Sequence, residues 1–209
     1  MADGLRIEDV AVMHGSDTLL RLDAHVAPGR VLTLMGPSGS GKSTLLSVVI
    51  GDLAPAFCAT GRVILDGRDL TGVAPEARRV GLLYQDPLLF PHLDVAANLA
   101  FGLPRGGGRA ERCATVAAAL SEIGLAGFGP RDPATLSGGQ AARVALMRTL
   151  LSRPRALLLD EPFSKLDADR RGQMRDLVFA RARGAGVPVL MVTHDAADAE
   201  AAQGEVVTL

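Results

Sequence analysis

Aromatic residues and lysines are scarce in this chain. Aromatic side chains make up 3% of its 209 residues, tryptophan is absent, and lysine occurs only as Lys42 and Lys165. The formal net charge is −1, which excludes a general electrostatic attraction to nucleic acid or to an anionic membrane surface. The chain also lacks a run of 18 apolar residues, so we expect no membrane-spanning helix.

Cysteine is equally rare. Cys58 and Cys113 are isolated, without C-x-x-C spacing, which predicts reduced cytosolic thiols and no metal role. The N-terminus carries several acidic residues and no long apolar stretch, which argues against a signal peptide. With 48% hydrophobic residues the chain can bury a large core, and its length suits one domain, or one domain with a sub-lobe.

A glycine-rich loop lies between an apolar segment, Val31–Met35, that predicts a strand, and Ser43–Ile50, which predicts a helix. The loop fits G-x-x-x-x-G-K-[ST], and the flanking strand and helix are the context that this motif requires. Glycines allow backbone N–H groups to surround phosphate oxygens, Lys42 supplies charge for the β- and γ-phosphates, and Ser43 offers a hydroxyl to Mg²⁺. The predicted nucleotide-binding residues are Gly36, Pro37, Ser38, Gly39, Ser40, Gly41, Lys42, Ser43 and Thr44.

Two adjacent acids follow the apolar segment Ala156–Leu159. Because neighbouring side chains of an extended segment point to opposite sides, the two carboxylates can take different roles. We expect Asp160 to bind Mg²⁺ together with Ser43, and Glu161 to act as general base toward the attacking water. The alternative is a strand that ends in solvated acids, which the upstream phosphate loop disfavours.

A second glycine-rich segment precedes a predicted helix, Ala141–Ser152. Its polar residues are Ser137, Gly138, Gly139 and Gln140. A helix N-terminus with a hydroxyl predicts a second anion site, although a serine N-cap alone explains the same pattern. Spacing leaves open whether such a site closes on the γ-phosphate within one chain or across two.

Gln85 and His194 follow the predicted strands Gly81–Tyr84 and Val187–Thr193. Both residues would lie at the edge of the sheet that carries the glycine-rich loop. There Gln85 can bind Mg²⁺ or orient water, and His194 can hydrogen-bond a γ-phosphate oxygen. A lone glutamine or histidine after a strand is more often an ordinary loop residue, so only their placement supports these roles.

The pattern of apolar residues predicts an α/β fold. Near-continuous apolar runs indicate strands buried on both faces of a mostly parallel sheet. By contrast, Arg6–Val12, Leu19–Ala27 and Arg62–Leu65 alternate more and are separated by turn residues, which predicts an antiparallel flank. Residues 95–151 have helical character.

Together these elements resemble the ATP-binding-cassette (ABC) family over nearly the whole chain. The resemblance identifies the glycine-rich loop as Walker A, Ala156–Glu161 as Walker B with Glu161 catalytic, and Leu136–Gln140, which reads LSGGQ, as the family signature. Gln85 matches the Q-loop. Ser164–Asp167 matches the D-loop with Asp167, and Thr193–Asp195 matches the switch-histidine loop with His194 as a second catalytic residue.

The resemblance implies an ABC ATPase with a P-loop NTPase core, a mostly parallel sheet, an antiparallel β flank and a helical sub-lobe. We expect a single domain over residues 1–209, with a core of about 1–87 and 153–209 and a helical subdomain of about 88–152. ATP and Mg²⁺ are the implied cofactors, with Mg²⁺ held by Ser43, Gln85 and Asp160.

The implied assembly is a head-to-tail homodimer in which each ATP lies between Walker A of one subunit and Ser137–Gln140 of the other. The segment Gln85–Leu93 is similar to bacterial importer ATPases, where it forms a groove for a membrane permease; its apolar residues would equally suit a buried core. We expect a periplasmic solute-binding protein in the same system and no nucleic-acid partner. We expect the chain to lie at the cytoplasmic face of the inner membrane. The alternative is a soluble ABC ATPase of DNA repair or translation; a P-loop kinase or GTPase would not need the LSGGQ segment.

Three positions depart from the family pattern. His14 stands where the family usually stacks an aromatic ring on adenine, which puts nucleotide selectivity in doubt. Ala141 and Ala142 precede Arg143 where relatives often carry glutamine and arginine. Because the sequence stops at Leu209, we expect no C-terminal regulatory domain.

Overall fold

The computed structural model describes residues 3–37 and 39–209. Strands within these residues are β1 (Leu5–His14), β2 (Asp17–Val26), β3 (Val31–Met35), β4 (Phe57–Leu65), β5 (Arg68–Asp69), β6 (Val80–Leu83), β7 (Ala156–Asp160), β8 (Val189–Val192) and β9 (Glu205–Thr208). Helices are α1 (Lys42–Ile50), α2 (Pro75–Arg78), α3 (Val95–Gly102), α4 (Arg109–Glu122), α5 (Gly138–Leu151), α6 (Ala168–Ala185) and α7 (Ala196–Ala202). A 3₁₀ turn, Pro133–Thr135, precedes α5.

One sheet is antiparallel and has the strand order β2-β1-β4-β5. β1 pairs antiparallel with both β2 and β4. The inward-facing residues of β2 are buried and the intervening ones exposed, as expected for a sheet with one face on the core. The predicted antiparallel flank is therefore confirmed.

The other sheet has the order β6-β7-β8-β3-β9. β3 pairs in parallel with β8 and β9, and β7 pairs in parallel with β8, which confirms the mostly parallel sheet of the predicted α/β fold. All residues of β8 and the first four of β3 and β7 are buried. β8 is shorter than the predicted Val187–Thr193, β6 ends before Tyr84, and β9 was not predicted.

The chain divides into two compact units. The sheet unit contains the described residues up to Leu82, together with Pro154–Glu161 and Phe179–Leu209. In this unit one hydrophobic cluster joins both sheets to α1, which contributes Leu45, Leu46 and Val49. Burial of these apolar side chains stabilises the sheet from which the glycine-rich loop leaves.

The helical unit contains Leu83–Arg153 and Pro162–Val178. It includes α3, α4 and α5, and its core is formed by buried residues such as Leu99, Leu120 and Met147. The boundaries expected from the sequence, near residues 87 and 153, stay a prediction. No helix in the described part of the chain is long and apolar enough to cross a bilayer.

Candidate nucleotide site

The glycine-rich loop leaves β3 and enters α1 with the backbone conformations that its glycines permit. Gly39 has φ +83° and Gly41, the N-cap of α1, has φ +86°, both in the left-handed region that favours glycine. A Cβ at Gly41 would also lie 3.2 Å from Leu19 Cβ. The predicted site residue Ser38 lies outside the described residues.

Lys42, the first residue of α1, is buried with its ammonium group turned onto the loop. Its Nζ donates to Gly36 O at 2.9 Å, to Pro37 O at 2.6 Å and to Ser40 Oγ at 3.1 Å. These acceptors hold the charge inside the loop, next to the N-terminus of α1, where phosphate oxygens are stabilised.

Asp160, the last residue of β7, lies beside this loop. Burial raises the pKa of the Asp160 carboxyl, while a hydrogen bond with Ser43 and the charge of Lys42 lower it in part. The structure thus brings together Lys42, Ser43 and Asp160. The sequence predicts that Ser43 and Asp160 share a Mg²⁺ ion. These two residues place oxygen atoms side by side, as a hard cation such as Mg²⁺ requires.

Glu161 follows the strand in a left-handed conformation with φ +48°. Its N–H donates to Val192 O at 2.9 Å. Because Glu161 lies outside the strand, the turn, and not strand alternation, separates its carboxylate from that of Asp160. The sequence argument for two different roles therefore had the wrong geometric basis.

His194 and Glu161 form a hydrogen-bonded pair, with His194 Nδ1 2.7 Å from Glu161 Oε1. Since an ionised carboxylate only accepts, the imidazole Nδ1–H is the donor. The hydrogen bond and the charge of Glu161 raise the pKa of His194. The Glu161 side chain is 14% exposed and that of His194 73% exposed, so the pair extends from the protein wall into solvent.

The LSGGQ segment forms the start of α5 in the helical unit. Ser137 Oγ accepts from Gln140 N, and Gln140 Oε1 accepts from Ser137 N at 2.9 Å, which makes a capping box. A Cβ at Gly139 would lie 3.1 Å from Lys165 O, whereas one at Gly138 would meet nothing within 4 Å. The open face at Gly138 adjoins the exposed Ser137.

Two further predicted residues lie in the helical unit. Asp167 Oδ1 accepts from Arg170 N at 2.9 Å at the start of α6. Gln85 is exposed after β6, and its neighbour Asp86 forms an ion pair with Lys165 at 2.5 Å. The roles predicted for Gln85 and Asp167 stay predictions.

His14 has an aromatic neighbour that the sequence reading did not anticipate. His14 pairs with Phe57 across β1 and β4, and their ring centroids are 5.2 Å apart at an interplanar angle of 43°. The register of two strands brings these distant residues together, so no local sequence pattern could reveal the pair.

Comparison with known proteins decides the family. Residues 19–164 match the family described as ABC transporter. The chain belongs to the ABC transporter family. As in other members, its activity is ATP hydrolysis, and the chain is the ATP-binding, ATP-hydrolysing subunit of such a transporter.

The similar proteins are mostly named as import subunits. The chain is 48% identical to the uncharacterized ABC transporter ATP-binding protein YnjD of Escherichia coli (strain K12), over 89% of this chain and 86% of that protein. It is 45% identical to a thiamine import ATP-binding protein of Cereibacter sphaeroides, over 93% and 83% of the two chains. It is 47% identical to an Fe(3+) ions import ATP-binding protein of Streptomyces coelicolor, over 98% of this chain but 59% of that one. These names support transport over a soluble ATPase of DNA repair or translation.

A solved structure shares the fold. A dimeric, post-hydrolysis ATP-binding cassette bound to ADP and Pi has a TM-score of 0.85 and 28% identity, covering 98% of this chain and 94% of that chain. The likeness confirms the ABC ATPase fold class.

Proposed function

We propose that this chain binds Mg²⁺-ATP as a head-to-tail homodimer and powers solute import through a separate bacterial permease. In this proposal residues 1–209 form one ATPase domain with a helical subdomain, at the cytoplasmic face of the inner membrane, in a system that includes a periplasmic solute-binding protein. The observation that carries the hydrolytic part is the Glu161–His194 hydrogen bond, formed directly after Asp160 at the end of β7.

Ser43 and Asp160 fit a magnesium ion. Mg²⁺ usually takes one or two protein oxygens and completes its shell with water and phosphate, and the hydrogen-bonded Ser43–Asp160 pair supplies two such oxygens. Consistent with so few protein ligands, the described residues contain no group of three His, Cys, Asp or Glu that would hold a metal alone. When bound, the ion would neutralise charge on the phosphates; Gln85 is proposed as a further ligand.

Glu161 is proposed as the general base, with His194 as its positioning partner. The hydrogen bond from His194 Nδ1 fixes the carboxylate, which removes a proton from the attacking water. The raised pKa of His194 favours the imidazolium, which also donates from Nε2. That second donor suits a γ-phosphate oxygen, so one side chain would hold both the base and the phosphate.

The signature segment is proposed to bind the γ-phosphate of ATP held by the partner subunit. Three features of α5 support this role: its N-terminus attracts anions, Ser137 is exposed, and Gly138 has open space where a Cβ would be. Asp167 is proposed to lie at the same dimer interface.

A cavity of about 970 Å³ in the helical unit supports docking of a permease. It lies between α3 and α4. Most of its lining residues are small or apolar, among them Ala97 and Ala117, and three are charged: Asp94, Arg109 and Arg112. Just before it, Leu88 is exposed and Leu89, Phe90 and Leu93 are only part-buried, so these residues do not form a closed core. The groove expected at Gln85–Leu93 is therefore proposed to extend along α3 and α4.

Two matched variants test the docking proposal. Ala117 and Ala118 are both exposed on α4, but only Ala117 is among the cavity-lining residues. After co-expression with a candidate bacterial permease that co-elutes with the native chain, Ala117→Glu should abolish co-elution and transport while Ala118→Glu retains both. Basal ATP hydrolysis should be unchanged in both variants. Equal behaviour of the two variants would contradict the docking site.

A further inference from the structure

Arg148 lies on α5, the helix that begins at the signature segment. Ten residues separate it from Gly138, which corresponds to about 15 Å along the helix axis. Its Nη2 donates to Leu88 O at 3.0 Å and to Pro87 O at 3.2 Å, and its Nη1 donates to Asn98 Oδ1 at 3.3 Å. One side chain on α5 therefore holds the backbone of the segment that precedes α3.

Asn98 holds the same segment from α3. The residue is fully buried, and its Oδ1 accepts from Phe90 N at 2.8 Å. Its Nδ2 lies 3.1 Å from Phe90 O and 3.0 Å from Leu93 O. Because Oδ1 also accepts from Arg148, the two side chains form one network around the backbone of residues 87–93.

Two exposed apolar side chains lie near this network, one on the segment and one on α3. Leu88 has φ +44°, a conformation that a leucine adopts only when its surroundings impose it. Leu88 is 58% exposed and Phe101 is 67% exposed. The Phe90 ring centroid lies 4.6 Å from that of Phe101, and the Arg148 guanidinium carbon lies 5.1 Å from the Phe90 ring centroid. The guanidinium thus supports the apolar surface from beneath.

The ends of α3 and α5 are also in direct backbone contact. A Cβ at Gly102, the last residue of α3, would overlap the carbonyl oxygen of Arg148. The close approach leaves no room for a layer of side chains between the two helices at this point. Arg148 is therefore the residue at which α3, α5 and the segment 87–93 are all in contact.

We propose that Arg148 is a positioning residue that transmits movement of the signature helix to the segment 87–93. Its fork-shaped guanidinium holds two carbonyls and Asn98 at once, so displacement of α5 carries the exposed Leu88–Phe101 surface with it. The inference rests on the proposed function, in which nucleotide acts at the start of α5 and the permease contacts this surface. It adds the residue that joins the two events.

Hydrogen exchange of the whole chain tests the inference. With Mg²⁺ and a nonhydrolysable ATP analogue, the native protein should show slower amide exchange in residues 137–141 and, by at least about threefold, in residues 87–93. In Arg148→Met the response at 137–141 should persist, whereas that at 87–93 should disappear. Arg148→Lys keeps the charge but lacks the planar fork, and its response at 87–93 should be at most about half of the native one.

Arg112→Met is the matched control, because Arg112 also donates to loop carbonyls, Ala100 O at 2.8 Å and Pro104 O at 2.7 Å. It should retain the native response at 87–93. All three variants should hydrolyse ATP at the basal rate. A native-size response at 87–93 in every Arg148 variant that folds would overturn the inference, as would a native protein that responds at 137–141 and not at 87–93. Failure of the proposed function would appear differently. The native chain would lack basal ATP hydrolysis, or Ala117→Glu and Ala118→Glu would dock to the permease equally.

Discussion

Replacement of Glu161 by glutamine separates proton transfer from every other role of this residue. Glutamine has nearly the same shape and retains an Oε1 that accepts from His194 Nδ1. The backbone bond from residue 161 to Val192 O is unaffected. The substitution therefore removes the negative charge and the proton affinity while it keeps the local hydrogen bonds.

The expected loss follows from the general-base role. A positioned base contributes about 10²- to 10⁴-fold to a rate, which corresponds to about 2.7–5.5 kcal/mol of transition-state stabilisation. We expect kcat of Glu161→Gln to fall by at least about 10²-fold. Nucleotide affinity should stay close to the native value, because the proposed phosphate contacts come from Lys42 and its loop.

Three measurements on one sample distinguish this outcome from misfolding. Phosphate release at saturating Mg²⁺-ATP gives kcat, a fluorescent ATP analogue gives affinity, and a thermal melt reports the fold. Because ATP that is bound but not hydrolysed would keep both subunits of the proposed head-to-tail dimer together, size-exclusion chromatography should show an ATP-dependent dimer. Turnover within about threefold of native, with affinity and melting intact, would show that Glu161 is not the base.

Four further outcomes are expected. Lys42→Ala removes the buried ammonium group and should weaken the binding of a fluorescent ATP analogue, whereas Lys165→Ala, at the other lysine in the chain, should keep the native affinity; native affinity in Lys42→Ala would contradict the phosphate-binding role of the glycine-rich loop. Ser137→Arg should abolish the ATP-dependent dimer while monomer ATP binding remains, and a fully active variant would exclude the signature from the interface. Because the pKa of His194 is raised in the folded state, its pairing with Glu161 stabilises the fold fully below about pH 6.5 and less as the pH rises through the folded-state pKa. The melting-temperature difference between the native protein and His194→Ala should therefore be larger at about pH 6 than at about pH 9. An unchanged difference would refute this linkage. Asn98→Ala leaves the part-buried Phe90 N–H without its acceptor and creates a small cavity, so urea unfolding should show a loss of about 2–4 kcal/mol; a loss under about 0.5 kcal/mol would mean that water replaces the side chain.

Sequence reasoning succeeded where local patterns decide the structure. The apolar run Val31–Met35 became β3 residue for residue, because a strand buried on both faces carries an uninterrupted apolar pattern. β4 begins five residues before the predicted Arg62. The strand continues through Gly61, which lies opposite a register shift in β1. Gly61 has φ +86° and no room for a Cβ beside Asp9 O, so a residue that reads as a turn lies inside the strand. β9 is mostly exposed and pairs with β3 at the edge of the sheet, so it lacks an apolar signature.

The sequence proposed the candidate site residue by residue but did not give its contacts. It placed Ser43 and Asp160 at one expected magnesium ion, without the position of Lys42 beside them. The Glu161–His194 pair joins residues 33 positions apart, and Arg148 reaches carbonyls 60 and 61 positions away. Such contacts depend on tertiary packing, which composition and periodicity do not encode locally.

At Glu161 the left-handed backbone favours glycine, whereas the proposed general-base role requires a carboxylate. Glycine adopts such a φ without steric strain, whereas a residue with a Cβ does so at a cost of about 1 kcal/mol or more. The chain nevertheless carries glutamate there. Selection for low backbone strain alone would replace this glutamate with glycine and remove the carboxylate. A screen that rewards only thermal robustness is therefore expected to accept glycine at residue 161, which under the proposed general-base role would lose hydrolysis.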